Sequence, residues 1–519
     1  MKRFDTPFIG VVDCLSSHAR WRPDHTALVC GEERLSYGEL NRRISKVANG
    51  LTALGLGKGD KVALLMNNGI EMVQTIFGIL KAGAVVVPLS TMVPGDVLAM
   101  MVNDSEAKVL VVGSQELQAT LQPYIQDLKS ITHRGFISLG FEKAGWQPYD
   151  AWLEGCADDE PGTVFDPEDE FSIIYSSGTT GVPKGIVHSH VARQNWVSWL
   201  IISLRMHPGT VTVLTTPLYT TGTWTTFLPS LVIGGTVVIM PKYDVRLFLE
   251  LVQKEKATHS LMIPTQYIMT LSRPDFDQYD VSSIEVLVSG SAPLRAGTKN
   301  EMVKRFSCSI IEIYGNSEGI GTMLYLEEGD GKIGSVGKPP SGFDIRIIDD
   351  EGRELPRGVP GEIAGYAVGL MREYHKLPDK TAECIWYDER GRTYLKTGDV
   401  GRLDDDDFLY ILDRKKDMIV SGGINIFATD IEEIVLAHPD VSDVAVIAVP
   451  HEKWGETPLA LVIPATGGQA SGEEIMGWAN ARLAKYQRVT GIEFREDFPR
   501  NTLGKVLKRE LREPYWRSC

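Results

Sequence analysis

Tyr175-Ser176-Ser177-Gly178-Thr179-Thr180-Gly181-Val182-Pro183-Lys184-Gly185 is the stretch on which the reading of this chain turns. It continues an apolar run, FSII at 171–174, that reads as a buried strand. Within eleven residues it gathers four aliphatic hydroxyls, three glycines and a lysine. Glycines let a backbone approach a ligand and aim its N–H groups into a concavity, which suits phosphate oxygens. The hydroxyls add hydrogen-bond donors and Lys184 adds a positive charge. A Walker A loop needs Gly-Lys followed by Ser or Thr; here proline precedes Lys184 and glycine follows it.

A consistent pattern runs outward from this loop. Toward the N-terminus, SYGE at 36–39 fits a capping box, and Leu40, Ile44, Val47, Leu51 and Leu54 follow on one helical face until Gly55 and Gly57. KVALLM (61–66), a helical run over 71–81, AVVVPL (84–89) and VLVVGS (109–114) come next. Toward the C-terminus, TVTVLTTP (210–217), TVVIMP (236–241) and IEVLVSG (284–290) repeat the buried-strand pattern. This alternation predicts an α/β fold with mostly parallel strands. From about 330 the strand candidates IGSVGKPP, FDIRIIDDEGREL and GEIAGYAV predict a β-rich part. After the charged segment LDRKKD (412–417), DIEEIVLAH, DVAVIAVP and EEIMGWANARLAKY mix helix and strand. The expected organisation is a large N-terminal domain of layered α/β subdomains, 1–414, whose β-rich part spans about 330–414. A small mobile α+β C-terminal domain, 415–519, follows.

The counts agree. At roughly 100–200 residues per domain, 519 residues make two to four compact units. With 43% hydrophobic and 23% charged residues the chain is neither disordered nor fibrous. A net charge of −15 argues against a sequence-independent grip on nucleic acid or on an anionic membrane. Cysteines 14, 30, 156, 308, 384 and 519 show no C-x-x-C pairing and read as reduced thiols of a cytoplasmic protein. MKRFDTPFIG lacks the apolar core of a signal peptide, and the apolar stretch 76–89 is too short for a membrane span.

The loop YSSGTTGVPKG resembles the signature of the adenylate-forming superfamily, which holds acyl-CoA synthetases, luciferase-like enzymes and peptide-synthetase adenylation domains. Further motifs follow in the expected order. Tyr314-Gly315-Asn316-Ser317-Glu318 is similar to the family's Y-G-x-T/S-E, in which the tyrosine stacks on adenine, the hydroxyl contacts phosphate and the glutamate holds magnesium. Tyr394-Leu395-Lys396-Thr397-Gly398-Asp399 resembles the motif whose aspartate takes both ribose hydroxyls, with Ile411 beside adenine and Arg414 reaching ribose and phosphate. Ser421, Gly422 and Gly423 resemble the loop lining the pantetheine tunnel, and Lys416 matches the hinge about which the small domain turns. The next helix departs from the family's Y-P-x-E-x-E, reading FATDIEE. Pro499-Arg500-Asn501-Thr502-Leu503-Gly504-Lys505 is similar to the motif of the adenylating lysine.

The resemblance implies a Mg2+-dependent, AMP-forming ligase of a carboxylic acid, fatty or aromatic, with ATP and coenzyme A as co-substrates. Lys505, Glu318 and Thr180 would be catalytic. Ser176, Ser177, Gly178, Thr179, Thr180, Gly181, Lys184, Gly290, Ala292 and Pro293 would join the tyrosine and aspartate motifs around the nucleotide. The acyl pocket would be drawn from Tyr219, Thr220, Thr221, Gly222, Trp224, Ser289, Gly319 and Met323. Thr220 stands where many relatives carry histidine, and Trp224 reads equally as a gate or as a core aromatic. Arg193 is the one Arg or Lys in the segments from which family pockets are built, here 190–199, 217–227, 289–293 and 316–323, which disfavours a dicarboxylate. His188 and His190, without carboxylate neighbours, read as packing residues rather than metal ligands. The alternatives are loading of a carrier protein, a luciferase-like oxygenase, or a non-catalytic nucleotide-binding relative. Retention of Lys505 beside Glu318, Asp399 and Arg414 argues against the last. A monomer or a homodimer is expected.

Overall fold

Ser36 starts the helix Tyr37–Ala53 as the capping box predicts: its hydroxyl accepts the Glu39 N–H at 3.3 Å, and the Glu39 carboxylate accepts the Ser36 N–H at 2.9 Å. Leu40, Ile44, Val47 and Leu51 are buried along one face. The helix Ile70–Lys81 crosses this one closely at Gly78, where an added Cβ would stand 2.4 Å from Val47 Cγ1. These features belong to a computed structural model that describes residues 8–176, 183–292, 294, 296–327, 331–500 and 505–516. Ser177, Gly178, Thr179, Thr180, Gly181 and Pro293 lie outside the described residues.

The chain divides into two compact units. The first comprises residues 1–330, 339–344 and 366–385. It carries two eight-stranded sheets among the described residues. One runs, in spatial order, Gly321–Tyr325, Ser309–Gly315, Val286–Ser289, His259–Met262, Val211–Leu214, Thr236–Ile239, Thr26–Cys30, Glu33–Ser36. It is parallel except at its two outermost pairs. The other runs Glu373–Tyr374, Lys184–Ser189, Glu170–Ser176, Val85–Pro88, Lys61–Leu65, Ala107–Val112, Phe136–Ser138, Gln147–Pro148. The strands predicted before residue 290 therefore all form, and they are parallel and buried because helices cover them. One large core joins Val62, Leu64 and Val86 of one sheet with Leu214, Val237 and Val288 of the other.

The second unit comprises residues 331–338, 345–365 and 386–519. Most of the β-rich stretch thus packs with the C-terminal residues, while 339–344 and 366–385 belong to the first unit, so the units do not divide at 414/415. One cause is a tertiary contact: Asp413, at the end of the strand Leu409–Arg414, accepts the N–H of Ala428 at 2.7 Å and so caps the helix Ala428–Leu436. IGSVGKPP is not a strand. Its two glycines and two prolines make a turn, tied by bonds from Val336 N–H to Leu409 O and from Leu409 N–H to Gly337 O. DVAVIAVP forms within the strand Val441–His451. The helix expected over EEIMGWANARLAKY stops at Asn480, whose amide side chain bonds both the N–H and the carbonyl of Val489. Among the described residues no helix is long and apolar enough to cross a membrane, and five cysteines are free thiols.

Candidate active site

In the first unit, the strands Glu170–Ser176 and Lys184–Ser189 are antiparallel with Ser176 opposite Lys184. The two ends of the hydroxyl and glycine loop are therefore fixed side by side by the sheet. Tyr175 anchors the outgoing strand through a 2.6 Å bond from its hydroxyl to Asp104 Oδ2. Lys184 Nζ lies 4.8 Å from the centre of the Tyr374 ring, and the Tyr374 hydroxyl donates to Glu318 Oε1 at 2.7 Å. Burial, with the Glu318 carboxylate next, raises the Tyr374 phenol well above its ordinary value, so it stays a neutral donor.

Glu318 sits on the loop between the paired strands Ser309–Gly315 and Gly321–Tyr325. Asn316 Oδ1 accepts the N–H groups of Gly319 (3.2 Å) and Ile320 (3.3 Å), closing the turn. Gly319 has φ +111° and an added Cβ would meet Gly369 O at 2.3 Å, so no other residue fits there. Ser289 lies in register opposite Glu312 on the neighbouring parallel strand. The segments 289–292 and 314–318 thus leave the C-terminal ends of adjacent strands, where α/β sheets place ligands. Between them, Glu312 accepts the Leu294 N–H at 3.1 Å and pairs with Lys299 at 2.5 Å, both side chains buried. Ser291 holds a left-handed φ of +73°, backbone strain of the kind that gathers at functional loops.

The expected acyl residues have well-defined places. Thr220 caps the helix Thr221–Val232 by accepting the Thr223 N–H, and its hydroxyl also bonds Pro217 O at 3.0 Å. The residue standing in place of histidine therefore has a structural task. Gly222 opens toward Ser291: an added Cβ would stand 3.4 Å from Ser291 Oγ. Tyr219 and Met323 are buried, and the Ser289 hydroxyl is buried with no partner among the described residues. Trp224 is closed inside the core at 0% exposure, its indole N–H donating to Leu218 O at 2.7 Å. The Arg193 guanidinium is 1% exposed, 5.3 Å over the Trp224 ring and 5.0 Å over Trp196, and 3.1 Å from His188 Nδ1. Burial brings it down to about 9 and holds His188 neutral. His190 packs against Phe165 and Phe171, and burial pushes it down to about 4.

In the second unit, Asp399 and Arg414 stand opposite one another on the strands Thr393–Leu403 and Leu409–Arg414. Asp399 is 6% exposed, and Arg414 Nε contacts its Oδ1 at 2.9 Å. Thr397 Oγ1 accepts the Asp399 N–H at 3.0 Å, which braces the backbone there, and Ile411 lies half-buried on the same hairpin. Asp404 caps the turn of that hairpin and binds Lys332. Lys505 follows the residues 501–504 and precedes Val506, which bridges to Arg500. Its side chain meets solvent, yet the protein crowding it, and then the Arg414 guanidinium, bring its ammonium down to about 8 against the opposing pull of Asp399 and Asp417. Lys505, Asp399 and Arg414 therefore act within one electrostatic neighbourhood. Lys416 is exposed, with its carbonyl taking a bond from Arg512 at 3.2 Å. Gly422 and Gly423 turn at φ +59° and +83° after Ser421, and a Cβ on Gly422 would clash with the Trp454 ring at 2.8 Å.

The AMP-binding enzyme model matches residues 15–375, and the AMP-binding enzyme C-terminal domain model matches residues 430–505. The chain belongs to the AMP-binding enzyme family. It is 33% identical over 492 residues to the long-chain-fatty-acid–CoA ligase FadD13 of Mycobacterium tuberculosis, spanning 93% of each chain. It is 30% identical over 522 residues to the fatty acid–[acyl-carrier-protein] ligase ScoC of Streptomyces coeruleorubidus, spanning 98% of this chain and 96% of that one. The crystal structure of the anthranilate CoA ligase AuaEII with anthranoyl-AMP superposes with a TM-score of 0.88 at 27% identity, covering 100% of this chain and 99% of that one. The fold and the ordered motifs are those of an AMP-forming acid–thiol ligase.

Sequence reasoning missed Tyr374 and the Lys299–Glu312 pair. Glu312 did carry a signal, a lone carboxylate inside the apolar strand IIEIYG. Tyr374 carried none, because its partners lie far away along the chain.

Proposed function

We propose that the protein activates a fatty or aromatic monocarboxylic acid with ATP and transfers the acyl group to coenzyme A. The observation that carries this is Lys505 standing in the electrostatic neighbourhood of the Asp399–Arg414 pair. The Asp399 carboxylate can accept from two adjacent ribose hydroxyls, and Arg414 and Lys505 would bring positive charge to the phosphates. In the first half-reaction a carboxylate oxygen attacks the α-phosphorus, the bond from that phosphorus to the β-bridging oxygen breaks, and pyrophosphate leaves. Lys505 stabilises the charge that grows on the α-phosphoryl oxygens. Ser176, Ser177, Gly178, Thr179, Thr180, Gly181 and Lys184 hold the leaving phosphates, while Tyr314, Gly290, Ala292 and Pro293 frame the base. In the second, the thiol sulfur attacks the acyl carbon, its proton is released, and AMP departs with the electron pair of the broken C–O bond. Gly422 and Gly423 give the thin thiol arm its passage, and turning about Lys416 would exchange the two sites.

Glu318 fits a magnesium site. Tyr374 occupies Oε1, which leaves Oε2 as a hard oxygen donor. No group of three His, Cys, Asp or Glu side chains able to hold a metal surrounds it among the described residues. Such a sparse donor set suits Mg2+, which keeps water and phosphate oxygens as its other ligands. When bound, the ion supplies neutralisation of phosphate charge.

A monocarboxylic acid is favoured because Arg193, the one cation in the pocket segments, is closed beneath Trp196 and Trp224. The test is AMP formation with MgATP and coenzyme A across acetate, alkyl acids of rising length, benzoate, hydroxycinnamates and matched diacids. One preferred alkyl or aryl monoacid with coenzyme-A-dependent turnover supports the reading. A preference for diacids contradicts it. AMP release without a coenzyme A thioester would transfer the reading to a carrier protein, the acceptor named for ScoC.

A further inference from the structure

Lys184 and Glu318 carry opposite charges, lie far apart in the chain, and meet the same side chain. Lys184 Nζ stands 4.8 Å over the face of Tyr374, and Glu318 Oε1 accepts the Tyr374 hydroxyl at 2.7 Å. Among the described residues neither charge forms an ion pair. The place of Tyr374 is fixed from several sides. Its N–H donates to Thr381 Oγ1 at 3.0 Å. The flanking N–H groups of Arg372 and His375 each donate at 2.8 Å to Val187 O and Gly185 O of the strand that carries Lys184. The Met371 N–H donates to Glu318 O at 2.6 Å, so the segment 371–375 also holds the Glu318 backbone. The ring is buried, which strengthens both the cation–π contact and the hydrogen bond to the carboxylate.

We propose that Tyr374 is the positioning residue of the nucleotide site: its ring holds the Lys184 ammonium away from Glu318, and its hydroxyl locks the Glu318 carboxylate so that one oxygen faces the divalent cation of the incoming nucleotide. The inference rests on the nucleotide-site reading of Lys184 and Glu318. Without the ring, the ammonium and carboxylate would neutralise one another, and that pair would have to break before phosphate and metal could bind. With it, both charges stand ready, the ammonium for phosphate oxygens and the carboxylate for the metal.

Two variants separate the two tasks. Tyr374→Phe keeps the ring and removes the hydroxyl; Tyr374→Leu removes both. ATP is titrated calorimetrically onto each protein with excess MgCl2 and again with EDTA. Removing a hydrogen bond to a charged group is expected to weaken MgATP binding by Tyr374→Phe about tenfold or more, leaving binding of metal-free ATP and the unfolding temperature unchanged. Tyr374→Leu is expected to weaken metal-free ATP as well, because Lys184 then pairs with Glu318. Equal binding by Tyr374→Phe and wild type would overturn the proposal, and so would an equal loss with and without magnesium. Those two results stand even if the leucine variant does not fold. Wild-type protein whose ATP affinity ignores magnesium would refute the reading of Glu318 itself, and the inference would fall with it.

Discussion

Raising the pH should switch off adenylate formation earlier than an ordinary lysine would allow. Lys505 loses its proton near pH 8, because crowding by the protein and the Arg414 guanidinium both oppose its charge. A lysine at its usual value of about 10.4 is almost fully charged at about pH 9, whereas one at 8 keeps only about a tenth of its charge. Only the ammonium can stabilise the α-phosphoryl oxygens, so kcat/KM for ATP in acid-dependent pyrophosphate release should fall about tenfold between about pH 7 and about pH 9. That parameter reports the free enzyme, before the phosphates of bound ATP raise the lysine again. Thioester formation from supplied acyl-AMP and coenzyme A is the internal control: in the proposed mechanism Lys505 has no part in it, and thiol ionisation should drive it upward over the same range. A pyrophosphate-release profile that is flat to about pH 9.5 would refute the assignment, as would the same falling limb in the control.

Two further outcomes follow from the packing. His190 is held neutral down to about 4, against 6.5 in the unfolded chain, so the unfolded state binds the extra proton first and stability falls as pH drops from 6.5 toward 4. By linkage His190 contributes about 2 kcal/mol to the loss between about pH 8 and about pH 5, so urea unfolding should find a loss smaller by about that amount in His190→Phe, where the neutral His188 still contributes its own; equal losses in both would show that His190 is not a group responsible. Trp224→Ala should destabilise the first unit by about 3–5 kcal/mol, since the ring is buried and its N–H is bonded. A variant of wild-type stability that accepts longer acids would instead make Trp224 a movable wall of the acyl pocket.

Much of this architecture was readable from the chain. Runs such as KVALLM, AVVVPL and IEVLVSG announce buried parallel strands, because strands covered on both faces must be apolar throughout. The SYGE box fixed a helix start to the residue, since capping is a local contest for the first N–H groups. Local signals also misled. IGSVGKPP has the texture of a strand, but its glycines and prolines favour a turn once Leu409 supplies partners from across the unit. The edge of the β-rich part was hidden for the same reason: Asp413 reaching Ala428 is a tertiary contact with no periodicity.

At the site, the motif residues stand out in the sequence because nucleotide chemistry demands particular groups at particular spacings. Their supports were not. Tyr374 is bound to Glu318 and Lys184 only through folding, and Arg193 looks like any helical arginine until two tryptophans and His188 enclose it. Thr220 likewise shows its role as a helix cap only when Thr223 and Pro217 are in place.

The proposed mechanism requires Lys505 to serve one half-reaction and not the other. Lys505→Ala should lower acid-dependent pyrophosphate release by about 10²–10³-fold, the scale of removing one preorganised charge from a transition state, while leaving thioester formation from supplied acyl-AMP within a few-fold of wild type. An equal fall in both steps, or an unaltered first step, would contradict it.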